Sequence, residues 1–217
     1  MARSSPSQPE APHDCSLCPR LTQYRQVNAA EEPNWFNGPA PSFGDSEAKL
    51  LIVGLAPGRT GANRTGRPFT GDYAGDLLYG TLLSLGLAEG TYRADPADGL
   101  TLKGTMITNA VRCAPPQNKP TPGEIAQCRP YLEARIAALP HLRAILALGA
   151  IAHDSVLRAH GLKPALAKFA HGAEHAMPGS RWLVSSYHCS RYNTQTNRLT
   201  PRMFQEAMSQ AKARAHL

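Results

Sequence analysis

Four short apolar runs punctuate the chain, in "KLLIVGLAPG", "GTMITNAVRCAPP", "RAILALG" and "RWLVSSYH", each ending in glycine or polar residues. Runs of this length closed by turn-forming residues read as buried strands leading into loops. Between them the spacing becomes helical. Asp72 to Leu87 carries Leu77, Leu78, Leu82, Leu83 and Leu85 for a core face. "TPGEIAQCRPYLEARIAAL" opens with Thr121 as N-cap, Pro122 at the first helical position and Glu124 three residues after the cap. Ala150 to His160 forms another helix, closed by Gly161, and "LTPRMFQEAMSQAKARAH" a C-terminal one with Pro201 near its start. No internal repeat is visible. Strands separated by helices predict an α/β fold with a parallel sheet covered on both faces. Such sheets place ligands at the carboxyl ends of their strands. The segments that follow the strands, "GLAPGRTGANRTGRPFTGD", "TNAVRC", "LGAIAHD" and "SYHCSRYNTQT", are therefore expected to line one crevice.

The length, 217 residues, suits one domain with its own core. Residues 1 to about 12, rich in Ser, Pro and Gln, read as a disordered tail, leaving 13–217 as the domain. The start has no apolar stretch for a signal peptide, and no run of about 18 apolar residues is present to span a bilayer. A cytoplasmic location is expected. Lys and Arg number 23 against 16 Asp and Glu, a formal charge of +7. That balance favours polyanionic partners, nucleic acid first, or is merely a solvated basic surface.

In a reducing compartment thiols bind metal or do chemistry rather than pair. Cys15 and Cys18 form a C-x-x-C pair, and Cys113 and Cys128 lie far downstream. Four thiolates suit zinc or an iron–sulfur cluster equally by count. The alternative is that Cys113 and Cys128 are small buried hydrophobes.

The glycine-rich loop matches neither a phosphate-binding G-x-x-x-x-G-K-[ST] nor a clean G-x-G-x-x-G. Taken in order, C-x-x-C at Cys15 and Cys18, "GLAPG", "ANRTGRPFTGD", "TNAVRCAPP" and "YHCSRYNTQTNRLT" resemble the iron–sulfur branch of the uracil-DNA glycosylase superfamily, most closely its family 5, the broad-specificity type B group. The resemblance implies a three-layer α/β/α sandwich around a four-stranded parallel sheet. It also implies a [4Fe-4S] cluster on Cys15, Cys18, Cys113 and Cys128, and a monomer that excises uracil and other damaged bases from DNA, away from membranes. A metal- or cluster-containing DNA-binding module without catalysis is the rival reading.

By the same resemblance, Gly54 and Ala56 line the base pocket and Phe69 is the ring on which an extruded base stacks. Asn109 pairs with the uracil edge, since an amide offers both donor and acceptor, and His188 stabilises charge on the departing base. Ala56 cannot place a water, so Asp72, or else Asn63, is expected to do so. Asp72 equally suits a helix N-cap. Ser190, Asn193 and Thr194 are expected on phosphates, with Arg191 or Tyr192 filling the gap left by the base. Arg198, Arg202, Lys212 and Arg214 add phosphate attraction or form a solvated face. Two positions depart from the family pattern: Cys189 stands where proline usually follows the histidine, and Gly58 where alanine ends "GLAPA".

Overall fold

The computed structural model describes residues 8–217. In chain order its elements are α1 (Pro19–Glu31), β1 (Phe43–Gly44), β2 (Leu50–Gly54), α2 (Ala62–Thr65), α3 (Tyr73–Ser84), β3 (Ala88–Glu89), β4 (Thr101–Leu102) and β5 (Thr105–Asn109). They continue with α4 (Pro122–Ala137), β6 (Ala144–Leu148), α5 (Ala150–Ala159), β7 (Glu174–Met177), β8 (Arg181–Ser186), α6 (Arg191–Gln195) and α7 (Pro201–Ala215).

The expected four-stranded parallel sheet is corrected by the topology. The main sheet has six strands in the order β1-β5-β2-β6-β8-β7, and β3 pairs with β4 in a separate two-stranded sheet. The four apolar runs are the inner strands and are mutually parallel, but β1 and β7 add antiparallel edges. No apolar run announces either edge. β1 is two residues long, and β7 reads Glu-His-Ala-Met with only Met177 buried. Short or polar edge strands are how sheets avoid pairing with other chains.

Side chains alternate across β2. Leu50 and Ile52 face Leu78 and Leu82 of α3 and Phe204 and Met208 of α7. Leu51 and Val53 face Leu132 and Ile136 of α4 and Val156 of α5. Helix starts follow the predicted signals. Thr121 Oγ1 accepts from Glu124 N–H (3.2 Å) while Glu124 accepts from Thr121 N–H (2.7 Å), and Thr200 caps α7 through Met203 N–H (3.2 Å). Helix α1 was not predicted, because it buries only Leu21, Arg25 and Asn28 and so has no apolar stripe to read.

Of the segment expected as a tail, residues 1–7 lie outside the described residues. Residues 9 and 10 bond to the body: Arg112 donates to Pro9 O (3.1 Å) and to Glu10 (3.1 Å), and Arg135 also pairs with Glu10. Among the described residues no helix is long and apolar enough to cross a membrane.

Candidate functional site

Parallel register sets Gly54, the last residue of β2, beside Asn109, the last residue of β5. A Cβ at Gly54 would lie 2.5 Å from Asn109 Oδ1 and 2.6 Å from Phe69 Cζ, so only glycine fits between the amide and the ring. This junction is one wall of a cavity of ≈ 440 Å³ at the carboxyl ends of the strands, lined by Ala56, Phe69, Asp72, Asn109, His188 and Ser190 among others. Asn109 is 2% exposed, and its Oδ1 is buried with no hydrogen-bond partner among the described residues. A buried acceptor left open is costly unless something fills it.

Phe69 has φ 55°, in the left-handed region. For a bulky L-residue that costs about 1–2 kcal/mol, and the surroundings hold it. Arg67, two residues earlier, makes a buried bidentate ion pair with Asp98 (2.7 and 2.8 Å) and lies 5.1–5.8 Å from the ring centres of Phe43, Tyr79 and Tyr92. Asp98 also accepts from the N–H groups of Arg93 and Leu100, both at 3.0 Å. The Arg67 guanidinium holds the Asp98 carboxyl well below the usual carboxylate range. Tyr79 OH donates to Pro68 O (2.6 Å) and Tyr92 OH to Phe69 O (3.2 Å). A side chain at Gly75 would run into the Phe69 carbonyl, so α3 starts there only because position 75 is glycine.

Asp72 is divided between two tasks. Its Oδ1 accepts from Gly75 N–H (3.1 Å) as the N-cap of α3. Its Oδ2 faces the glycine loop, where a Cβ at Gly61 would come within 2.6 Å and one at Gly58 would sit at 3.5 Å. Burial raises the Asp72 carboxyl above its ordinary value. Gly58 thus could hold a methyl group, whereas Gly54 and Gly61 could not. Asn63 is fully buried, donates to Asn37 Oδ1 (3.0 Å) and does not line the cavity.

His188 follows β8, and its ring faces that of Phe69 with centroids 5.9 Å apart and planes at 29°. Desolvation brings the imidazole down to about 4, so it is neutral at pH 7. Cys189 is fully buried behind it, its thiol 3.5 Å from Ala74 O. The segment beyond is largely bonded to itself. Ser190 caps α6, Asn193 Nδ2 donates to His188 O (2.8 Å), and Thr194 Oγ1 bonds Tyr73 OH (3.1 Å). Arg191 lies over the Tyr73 ring (5.1 Å) and Arg198 over Tyr187 (4.8 Å). Tyr192 is 71% exposed. Three of the cations expected on phosphates have internal partners. Arg202 pairs with Glu206, Arg214 with Glu174, and Lys212 donates to Leu85 O. The sequence reading missed Arg59 and Asn118, which also line the cavity. Arg59 is tied to Asn28 (2.8 Å) and Glu31 (2.6 Å) of α1, an element with no sequence signal.

Cys15, Cys18, Cys113 and Cys128 share an apolar cluster with Leu21, Val111 and Tyr131. The cavity they line is only ≈ 20 Å³, about the room of one water. Burial pushes the Cys18 thiol up to about 11 and the Cys113 thiol up to about 12. Among the described residues no group of three or more His, Cys, Asp or Glu is placed so that it could hold a metal ion. The expected [4Fe-4S] cluster is corrected accordingly; Cys113 and Cys128 are buried, and the half-buried Cys15 and Cys18 pack against them, joining the N-terminal segment to α4.

Comparison with known proteins agrees with this geometry. A family model described as the uracil DNA glycosylase superfamily matches residues 41–212. The chain is similar to the type-5 uracil-DNA glycosylase of Thermus thermophilus, at 47% identity over 209 residues, covering 94% of each chain. It is 42% identical over 210 residues to the type-5 enzyme of Mycobacterium tuberculosis, covering 91% of this chain and 77% of that one. A type-4 uracil-DNA glycosylase of Pyrobaculum aerophilum is 35% identical over 149 residues, covering 68% of this chain and 62% of its own. With a cavity built from the ordered motifs and relatives alike over nearly the whole length, the chain belongs to the uracil DNA glycosylase superfamily, close to its type-5 members.

Proposed function

We propose that this protein is a monofunctional DNA glycosylase that extrudes uracil, and other damaged bases such as hypoxanthine or ethenocytosine, and releases them to leave an abasic site. The observation that carries the proposal is the buried, unpartnered Asn109 Oδ1 in a cavity shared with Phe69 and His188. Uracil N3–H is the donor that oxygen lacks, and the amide N–H₂ of the same side chain is suited to O4. A flipped base pays for unstacking with such edge contacts and with a ring to lie against. Phe69 provides the ring. A DNA-binding module without catalysis has no use for this convergence.

Bond breaking sends the N1–C1′ electron pair to the base and leaves the sugar oxocarbenium-like. The neutral His188 imidazole has one N–H donor, which meets the charge growing on O2. Asp72 holds the water with Oδ2 while Oδ1 stays on the helix; water oxygen adds to C1′, and the carboxylate takes up the proton. Gly54 keeps the floor flat, and Ala56 leaves room beside it. Ser190 and Arg198 contact flanking phosphates from the rim. Asn193 and Thr194, already bonded within the segment, hold its shape.

Duplex and single-stranded oligonucleotides carrying one uracil, hypoxanthine or ethenocytosine test the reading. Strand scission that appears only after alkali is the expected result, and intact strands with every base would overturn it.

A further inference from the structure

The strand that leads to His188 is held at its tip by a side chain rather than by a neighbouring strand. β7 pairs with β8 only as far as Val184. Past that point the outer edge of β8 meets the turn that precedes β7. Ser185 N–H donates to Ala173 O (3.0 Å), and Gly172 N–H donates to Ser185 O (2.7 Å). In an antiparallel pair every second residue offers its N–H to the neighbour, so after Ser185 the next is Tyr187. Its N–H donates to His171 Nδ1 (3.2 Å), and Ser186 Oγ lies 3.4 Å from the same nitrogen. The Ser186–Tyr187 peptide is gripped from the other side too, where Ser186 O accepts from Gly149 N–H (2.8 Å). His188 is the next residue along.

Local structure brings the imidazole to this place. Ala173 N–H closes a turn on Ala170 O (3.1 Å), and Gly172 within it has φ 74°, a conformation that favours glycine. The His171 ring lies almost parallel to that of Tyr187, with centroids 5.2 Å apart and planes at 17°. A backbone N–H can only donate, so Nδ1 must keep its lone pair and the ring proton sits on Nε2. Burial lowers the His171 imidazole below its ordinary value, which keeps it neutral at pH 7. His171 does not line the cavity. Its influence on a bound base can run only through Tyr187 and His188.

We infer that His171 is a positioning residue: its Nδ1 accepts the Tyr187 N–H where the backbone ladder stops, and so sets where the His188 ring stands against Phe69 and an extruded base. This rests on the proposed base excision and adds to it the group that aims the imidazole.

Three variants test it. In His171→Asn the side-chain oxygen stands at the δ position and can replace Nδ1 as acceptor. In His171→Gln the amide lies one atom further out, and in His171→Ala there is no acceptor at all. Single-turnover excision should fall by about tenfold in the alanine and glutamine variants, short of the hundredfold that a misplacement of about 1 Å can cost. The asparagine variant should recover most of that loss, and Kd for product-like abasic DNA should stay near wild type in all three. Two magnetic-resonance measurements read the same point without activity. Amide exchange at Tyr187 should be faster in the alanine and glutamine variants and protected again with asparagine. The His188 ring-proton shift, which depends on its place 5.9 Å from the Phe69 ring, should move in the first two and return in the third. Asparagine no better than glutamine, or an unmoved His188 signal in both the alanine and glutamine variants, would overturn the assignment. Absence of base release by the wild type would count against base excision alone, since the Tyr187 and His188 signals still report on His171.

Discussion

The two walls of the cavity are built by opposite means. The Arg67–Asp72 wall is rigid from behind: a buried ion pair, a three-ring cage and two tyrosine hydroxyls hold Phe69 in a backbone conformation it would not adopt alone. The His188–Arg198 wall has no buried ion pair among the described residues. Its polar groups bond one another and Tyr73, and Tyr192 stands in solvent. Strain at a functional site persists only when the surroundings over-determine it. The first wall therefore suits a fixed surface for a base, and the second a surface that meets DNA.

Breaking the first wall should have the largest effect. Asp98→Ala leaves the Arg67 guanidinium buried without its partner, a change that costs about 3–5 kcal/mol in such pairs. In a domain of this size the melting temperature should fall by roughly 10 °C, and calorimetry or thermal circular dichroism measures it. The pair also predicts pH dependence. Asp98 titrates lower in the fold than in the unfolded chain, so its contribution is complete above the unfolded value of about 3.9 and is lost as pH falls below it. Asp98→Asn should show a shallower acid slope than wild type. An unchanged slope would mean that the pair does not anchor the Phe69 segment.

The inner sheet and the long helices were legible because apolar spacing and capping residues are local signals. Thr121, Glu124 and Thr200 do in space what their sequence positions suggest. The edges were not, since two-residue β1 and polar β7 leave no periodicity. At the site, the motif order pointed to Phe69, Asp72, Asn109 and His188, and all four line one cavity. Asn63 lies away from that lining, and side-chain polarity does not reveal whether an amide faces a cavity or, as here, another buried asparagine. Cysteine spacing likewise carried no distances, and the [4Fe-4S] cluster that the family resemblance implied does not stand.

Removing His188 should leave the fold unaffected and the chemistry damaged. His188→Ala is expected to lower single-turnover excision by about a hundred- to a thousandfold, with Kd for abasic DNA and the melting temperature near wild type. Because the imidazole is neutral down to about pH 4, wild-type activity should show no loss from His188 protonation between pH 7.5 and 5.5. A pH–rate profile with an inflection near 6.5 that vanishes in the variant would contradict the neutral donor.

Asp72 lies where the walls meet, and two substitutions divide its tasks. Asparagine caps helices as well as aspartate does, whereas alanine loses about 1 kcal/mol. Burial raises the Asp72 pKa, so at neutral pH the charged form opposes folding, and that cost fades as pH falls through the folded value. Asp72→Asn should be at least as stable as wild type at pH 7, and Asp72→Ala less stable, in chemical denaturation. Excision should fall in both. An asparagine variant with full activity would leave Asp72 a cap only.

The smallest effect on stability belongs to Tyr192, and it sharpens the contrast most directly. Arg191 is already placed over Tyr73, so of the two neighbours only Tyr192 has a free ring to enter the gap left by an extruded base. An exposed side chain without buried contacts should change stability by less than about 0.5 kcal/mol on truncation. Inserting a ring offsets part of the unstacking cost of the neighbouring base step. Tyr192→Ala should therefore slow excision from duplex DNA more than from a single strand, where little stacking has to be broken. Tyr192→Phe should behave as wild type, because the ring and not the hydroxyl fills the gap. Equal slowing on both substrates would assign Tyr192 to strand binding and leave the gap to Arg191, which would first have to leave Tyr73.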